Sequence, residues 1–284
     1  MVGYGKPLYK FTKRHTESLL VYDTGPDARY SKSDHMKLLL TASLVNGFAE
    51  GVSHSLCGIP TGETLLSYIK SQKRKNVQSA FDAMTERNIQ QLKRKRRLCR
   101  AVPIAIDWHD NMYYGDPKTP MIIGTQPKKG SHYAYEYLTA SVLVDGERLV
   151  IAVMPIRRRY DVSILTMRML ERIDTMGIKV KYVTLDGGFF DIDVIRYLEH
   201  MEINYILPMQ NTSRIKRMKL RKGRRFKYTT NHHCRGINQQ ASFDVVVAYS
   251  ENKKYRYLFA TNMSYSDDAL LHLFGKRWGI ETSY

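Results

Sequence analysis

Cysteine is scarce in this chain: Cys57, Cys99 and Cys234 are the only three among 284 residues. An odd, scattered set argues against a disulfide framework and for a reducing compartment, expected to be the cytoplasm. No apolar run approaches the ~18 residues that a membrane span needs. The first residues lack the apolar core of a secretory signal. Internal repeats and long low-complexity tracts are missing too. Secreted disulfide modules, helical membrane proteins and repeat arrays therefore drop out as classes. Acid is the other shortage, with 27 Asp and Glu against 45 Lys and Arg, a formal net charge of +18.

The shortage of acid is local. Residues 67–100 carry 11 Lys/Arg and 2 acids, and residues 210–235 carry 10 Lys/Arg and none. These segments net +9 and +10, so the rest of the chain nets −1. A charge run is usually a solvated face. Two runs that hold the whole excess, with an apolar region between them, suit a polyanion touching two places. Phosphate contacts of this sort give affinity without reading sequence and weaken steeply with salt. The candidate contacts are Lys93, Arg94, Lys95, Arg96 and Arg97 in the first run. In the second they are Arg221, Lys222, Arg224 and Arg225.

What is present suffices for a core: 43% of residues are hydrophobic, enough for more than one domain. Residues 1–30 are polar and turn-rich around Gly25-Pro26-Asp27, and are expected to form a loose arm. Residues 31–98 read as a helical DNA-binding domain with a basic tail. Ser33 is positioned to cap a helix through Leu38, Leu39, Leu40, Ala42 and Leu44. Asn46-Gly47 breaks it; short helices at 48–56 and 64–70 follow. Three short helices suit a helix-turn-helix, and an ordinary small bundle fits the same pattern. A longer helix over 76–97 ends in the cationic run.

Residues 99–284 read as an α/β domain. A polar loop is expected over 110–131, then a hairpin of 133–144 and 147–156 around Asp145-Gly146. A helix over 161–176 ends at Gly177, a second spans 190–201, and a short strand follows at 204–207. Residues 208–264 look like a strand-rich insertion, with strands at 243–249 and 255–261. Asn231-His232-His233-Cys234 lacks a second ligand pair at zinc spacing and reads as a polar loop. A final helix starts near Ser266, with Asp267 and Asp268 complementing its dipole.

Three carboxylates carry the chemistry. Val102-Pro-Ile-Ala-Ile-Asp107 and Val180-Lys-Tyr-Val-Thr-Leu-Asp186 read as buried strands, each closed by an aspartate. Ligands gather at such strand ends in open α/β sheets. Arg277 and Glu281 stand one turn apart on the last helix, beside Phe274. A neighbouring guanidinium favours the ionised form that a metal ligand needs. Taken singly, strand-end aspartates start turns or cap helices, and a helical Arg/Glu pair is a surface ion pair. Together, in this order, the three can hold two divalent cations about 3.5–4 Å apart for phosphoryl transfer.

The ordered pieces Ile104-Ala-Ile-Asp107-Trp-His-Asp, Thr184-Leu-Asp186-Gly-Gly-Phe-Phe190 and Arg277-Trp-Gly-Ile-Glu281 resemble the DDE transposases of bacterial and archaeal insertion sequences. The likeness is to the group with a Tyr-x2-Arg-x3-Glu-x6-Lys signature, and it covers roughly residues 100–284. It implies an α/β fold: a ribonuclease-H-like core with a β-rich insertion at about 208–264, preceded by a small helix-turn-helix-like domain. It further implies that Asp107, Asp186 and Glu281 are catalytic and ligate Mg²⁺, with Mn²⁺ as a substitute. Arg277 would bind a phosphate and orient Glu281. Trp108 would either stack on an unpaired base or pack at the strand end. The implied activity is metal-dependent cleavage and strand transfer at transposon ends, by a homodimer in a synaptic complex on nucleoid DNA. Two departures stand out. Phe274 replaces the signature tyrosine, and the signature lysine would fall beyond Tyr284, so a truncated catalytic helix is expected. The alternatives are a catalytically weak, DNA-binding remnant acting as a repressor, and a structure-specific nuclease.

Overall fold

The computed structural model describes residues 5–144, 147–157, 162–210, 212–218, 220–234, 237–250 and 255–277. The chain divides into two compact units, residues 1–91 and 92–284.

The first unit is helical: α1 (Gly5–Thr16), α2 (Lys32–Leu44), α3 (Ala49–Ser53), α4 (Gly62–Ser71) and the start of α5 (Arg74–Arg94). The expected loose arm is instead α1 followed by a 3-10 turn, Glu17–Leu19. Burial explains the difference. Leu20 and Tyr22 pack with Met36 of α2, beside Leu39, Leu40 and Tyr68. The cap of α2 is Ser31, not Ser33. Its hydroxyl accepts from Asp34 N–H while the Asp34 carboxylate accepts from Ser31 N–H, a reciprocal capping box. A second cluster, Leu38, Ala42, Val52, Ile59 and Leu65, joins α2, α3 and α4.

One buried polar residue makes this unit sensitive to pH. His35 is fully buried, 2.6 Å from Tyr22 Oη through Nδ1, with its ring against those of Tyr22 and Tyr68. Its Nε2 has no hydrogen-bond partner among the described residues. Burial depresses the His35 pKa, partly offset by Asp34, and pushes Tyr22 up to about 12. A depressed folded pKa means that the unfolded chain takes up the proton first. Stability from this group is complete above about pH 6.5 and is lost as pH falls through the lower, folded value. Thermal melts should therefore show a lower melting temperature between pH 7 and pH 5, with a flatter slope in His35→Leu. An identical slope in that variant would assign the effect elsewhere.

The second unit is built on a mixed sheet. Its strands are β1 (Val102–Tyr113), β2 (Ile123–Lys128), β3 (Ser131–Val144), β4 (Glu147–Ile156), β5 (Val180–Leu185), β6 (Tyr205–Pro208), β7 (Arg225–Cys234), β8 (Ile237–Tyr249) and β9 (Arg256–Thr261). Helices α6 (Val162–Thr175), α7 (Ile192–His200), α8 (Ser213–Arg217) and α9 (Asp267–Gly275) complete it. The order is β2-β3-β1-β5-β6-β9-β8-β7, with β4 also on β3. Within it, β4-β3-β1 is antiparallel and β1-β5-β6 is parallel. That is a ribonuclease-H-like core. The expected hairpin is β3 and β4, although its turn, Asp145-Gly146, lies outside the described residues. Gly177 ends α6 at φ +62°, where a side chain would be strained.

Three expectations about this unit change. β1 does not end at Asp107. Its parallel partner β5 stops at the Ile106–Leu185 pair, whereas the antiparallel partner β3 continues to Tyr113–Tyr133. The segment 110–131 consequently holds the end of β1 and all of β2 rather than one loop. Residues 208–264 are strand-rich as expected, and their three strands extend the main sheet, because β9 pairs with both β6 and β8. Asn231-His232-His233-Cys234 lies on β7, hydrogen-bonded along β8, not in a loop.

Candidate active site

The site arises where β1 and β5 part company. The parallel register sets Ile106 beside Leu185, so Asp107 and Asp186 are the next residues on adjacent chains. Strand alternation puts Asp107 on the face that carries Ala105 and Pro103, and thus their β5 neighbours Thr184 and Tyr182. Helix α9 covers that face: Leu270 and Phe274 pack with Tyr182, Ile206, Val246 and Phe259. Ser266 caps the helix by accepting from Ala269 N–H. Burying the apolar side of α9 thereby delivers Arg277 to the aspartates.

Arg277 is only 5% exposed. Its Nη1 donates to Asp107 Oδ2 at 3.0 Å, and its Nη2 lies 3.8 Å from Asp186 Oδ1. The planar fork spans both carboxylates, which a lysine could not do with the same geometry. The guanidinium sits 5.3 Å from the Phe274 ring centroid, and that ring lies 5.1 Å from Phe259. Phenylalanine at 274 is thus a core residue and a floor for the guanidinium, with no hydroxyl to place there. The α-helix ends at Gly275, so Arg277 lies just beyond it. Glu281 lies outside the described residues.

Each aspartate also has the ordinary local role of its type. Asp107 Oδ1 accepts from Trp108 N–H at 2.9 Å, and Thr139 Oγ1 donates to the Asp107 carbonyl. Asp186 caps the 3-10 turn Gly187–Phe189 through a 2.6 Å bond from Gly187 N–H. These bonds orient both side chains. Trp108 stacks on the buried Phe189 ring at 4.6 Å with an 8° interplanar angle, so one indole face is committed to packing. Asp110 alternates to the opposite face from Asp107 and is held there by Lys128 at 2.8 Å. Thr139 escaped sequence reading, because a threonine in a strand looks like packing.

A divalent cation has a partial ligand set here. Two hard carboxylates converge, and Asp186 is 47% exposed. Both already face one buried cation, Arg277, so the arrangement is built around positive charge. Among the described residues no group of three His, Cys, Asp or Glu side chains forms. The third carboxylate expected from the sequence is Glu281.

The basic residues divide. Arg94, Lys95, Arg96 and Arg97 are exposed. Lys93 instead donates to the Met176 carbonyl at 2.6 Å, compensating the C-terminus of α6. In the second run, Arg225 donates to Asp244 and to the carbonyls of Met263 and Tyr265. Lys222 pairs with Asp268 at 2.8 Å, and that bond raises its pKa. Lys222 and Arg225 therefore tie down the approach to α9, which places Arg277. Arg221 and Arg224 are exposed, Arg224 lying 6.0 Å from the Phe226 ring centroid. Sequence alone could not separate anchoring cations from exposed ones, since their partners are distant in the chain.

The site is thus a ribonuclease-H-like sheet with Asp107 on β1, Asp186 just past the end of β5 and Arg277 just past the end of α9. The family described as Transposase DDE domain matches residues 103–284, and the chain belongs to that family. The fold is similar to that of piggyBac transposase in a synaptic complex with hairpin DNA. The TM-score is 0.53 at 14% identity, covering 95% of this chain and 63% of that one. The chain thus spans under two thirds of that relative's length, and the likeness is one of fold. A Mos1 strand transfer complex matches at 12% identity over 65% of this chain and 59% of the other. Its TM-score of 0.23 supports no argument. No curated protein sequence matches the chain. Among the described residues no helix is long and apolar enough to cross a membrane.

Proposed function

We propose that this protein is a DNA transposase of insertion-sequence type, cutting at transposon ends and joining a 3′-hydroxyl to target DNA. The observation that carries the reading is Arg277 spanning Asp107 and Asp186. Asp107, Asp186 and Glu281 would hold Mg²⁺, or Mn²⁺ in its place. Ions bound there supply activation of a water or 3′-hydroxyl and stabilisation of the leaving oxygen. Asp107 is pre-oriented by its bond from Trp108 N–H, and Asp186 by its bond from Gly187 N–H. Such preorganisation keeps the carboxylates aimed without reorganisation during the reaction. Arg277 balances their mutual repulsion, its fork being directed at both carboxylates. The partner is double-stranded DNA, and the working form is a homodimer on nucleoid DNA in the cytoplasm.

The test is strand transfer of an oligonucleotide carrying the element's end, in Mg²⁺. Joined product supports a transposase. Cleavage of branched or flapped DNA without joining points to a structure-specific nuclease, and binding without cleavage to a repressor.

The exposed part of the first basic run makes a separate forecast. Changing Arg94, Lys95, Arg96 and Arg97 to glutamine should weaken binding to every duplex alike. The slope of log K against log salt should fall by up to about 3.6 if all four meet phosphates. Adding Lys93→Gln should change the slope little, because that ammonium is spent on the Met176 carbonyl. An unchanged slope in the fourfold variant would leave the run a solvated surface.

A further inference from the structure

We infer that the first unit carries a nucleic-acid site separate from the aspartates: a cleft between α1 and α5 that takes an unpaired stretch of DNA. The cleft measures about 570 Å³ and is formed wholly within residues 10–91. Its lining includes three cations, Lys10, Arg14 and Arg87, and no carboxylate. The excess arises because α1 has no acid in its first turn and ends in Lys13, Arg14 and His15. Lys10 and Arg14 lie outside the two basic runs visible in the sequence, whereas Arg87 belongs to the first.

Charge alone would suit any polyanion, but an aromatic narrows the choice. Phe11 lines the cleft and is 58% exposed, which leaves ring surface for a base to stack on beside the cations. Its ring lies 4.0 Å from that of His15 at an interplanar angle of 31°. His15 Nδ1 is 2.8 Å from the Phe11 carbonyl. A carbonyl can only accept, so Nδ1 carries the proton and the imidazole is locked against the phenyl ring. Arg87 is likewise oriented, by bonds from Nη2 to Ser18 Oγ at 2.8 Å and from Nε to the Ala83 carbonyl. Those bonds leave donors of its fork for a phosphate. Asn88 and Gln91 add amides, the groups that pair with base edges. A basic groove with an exposed ring and amide edges matches single-stranded nucleic acid, where bases stack and phosphates pair. A duplex hides its base faces and could not use Phe11. Choosing DNA as the strand rests on the transposase reading above.

Fluorescence anisotropy with the full chain tests this, using a short oligo-dT strand and a duplex of equal length. Phe11→Ala should weaken single-strand binding roughly 5- to 150-fold, the effect of losing one stacked base, and leave duplex binding unchanged. The triple variant Lys10→Gln/Arg14→Gln/Arg87→Gln should lower the single-strand salt slope by up to about 2. If circular dichroism shows that Phe11→Ala loses α1, Gln91→Glu on α5 replaces it, placing a like charge in the path of the phosphates. Unchanged single-strand affinity in the folded cleft variants would overturn the inference, as would an equal loss for duplex. Asp107→Asn keeps the two proposals apart. Loss of cleavage with intact strand binding concerns the aspartates alone, and loss of strand binding in the cleft variants with intact cleavage concerns the cleft alone.

Discussion

Asp107→Asn and Asp186→Asn are each expected to reduce DNA cleavage in Mg²⁺ by well over 100-fold while leaving duplex binding near the parent value. Asparagine keeps the shape of each side chain, so the local hydrogen bonds from Trp108 N–H and Gly187 N–H can persist. What it removes is the charged oxygen that a hard cation requires. Changing a residue one shell out from a metal typically costs 10–100-fold, so loss of a direct ligand should exceed that range. Glu281→Gln is expected to behave in the same way. Cleavage by Asp186→Asn at close to the parent rate would remove Asp186 from the reaction. Loss of duplex binding in either variant would instead indicate a folding defect, which a thermal melt would reveal.

Arg277→Met carries the second large effect, and it is on stability. Removing one partner of a buried ion pair typically costs about 3–5 kcal/mol, because the other charge stays desolvated. Arg277 and Asp107 are 6% and 16% exposed at their side chains, so that range applies to their bond. Asp186 is 47% exposed, and its share is screened by solvent. The variant should therefore melt well below the parent in EDTA, and Arg277→Lys should recover only part of the loss. Mg²⁺ should then raise the variant's melting temperature more than the parent's. Two carboxylates without their guanidinium bind a cation more avidly, and a ligand that prefers the folded state stabilises it by mass action. Equal melting temperatures in EDTA would show that the Arg277 contacts contribute nothing net. An equal Mg²⁺ shift in both proteins would place the ion away from these aspartates.

The two elements bearing these aspartates show how sequence and structure divide the information. Val102 to Ile106 and Val180 to Leu185 are short, largely apolar, β-branched runs of strand length, so both strands were legible. The cap at Ser266, the hairpin of β3 and β4 and the stop at Gly177 were legible for the same reason: each depends on residues adjacent in the chain. The length of β1 was not, because its second half is held only by β3, some 20 to 30 residues away in sequence. β7 was missed since, after Phe226 and Tyr228, this edge strand continues in polar residues, Thr229 to His233, that have the composition of a loop. The N-terminal arm was misjudged because nothing local reveals that Leu20 and Tyr22, which follow α1 and its 3-10 turn, will be buried on α2.

The sequence by itself determined the family, the identities of Asp107, Asp186 and Arg277 and their order along the chain. Chemistry is set by residue type, and order survives without folding. Only the tertiary structure decided that the Ile106–Leu185 register makes the two aspartates neighbours, and that α9 buries Phe274 so that Arg277 spans them. It also decided which cations are engaged, tying Lys93, Lys222 and Arg225 to carbonyls and carboxylates far away in the chain. The reason is one of range. Local pattern fixes what a segment prefers, whereas the partner that satisfies a buried charge is chosen by packing between segments that meet only in the folded state.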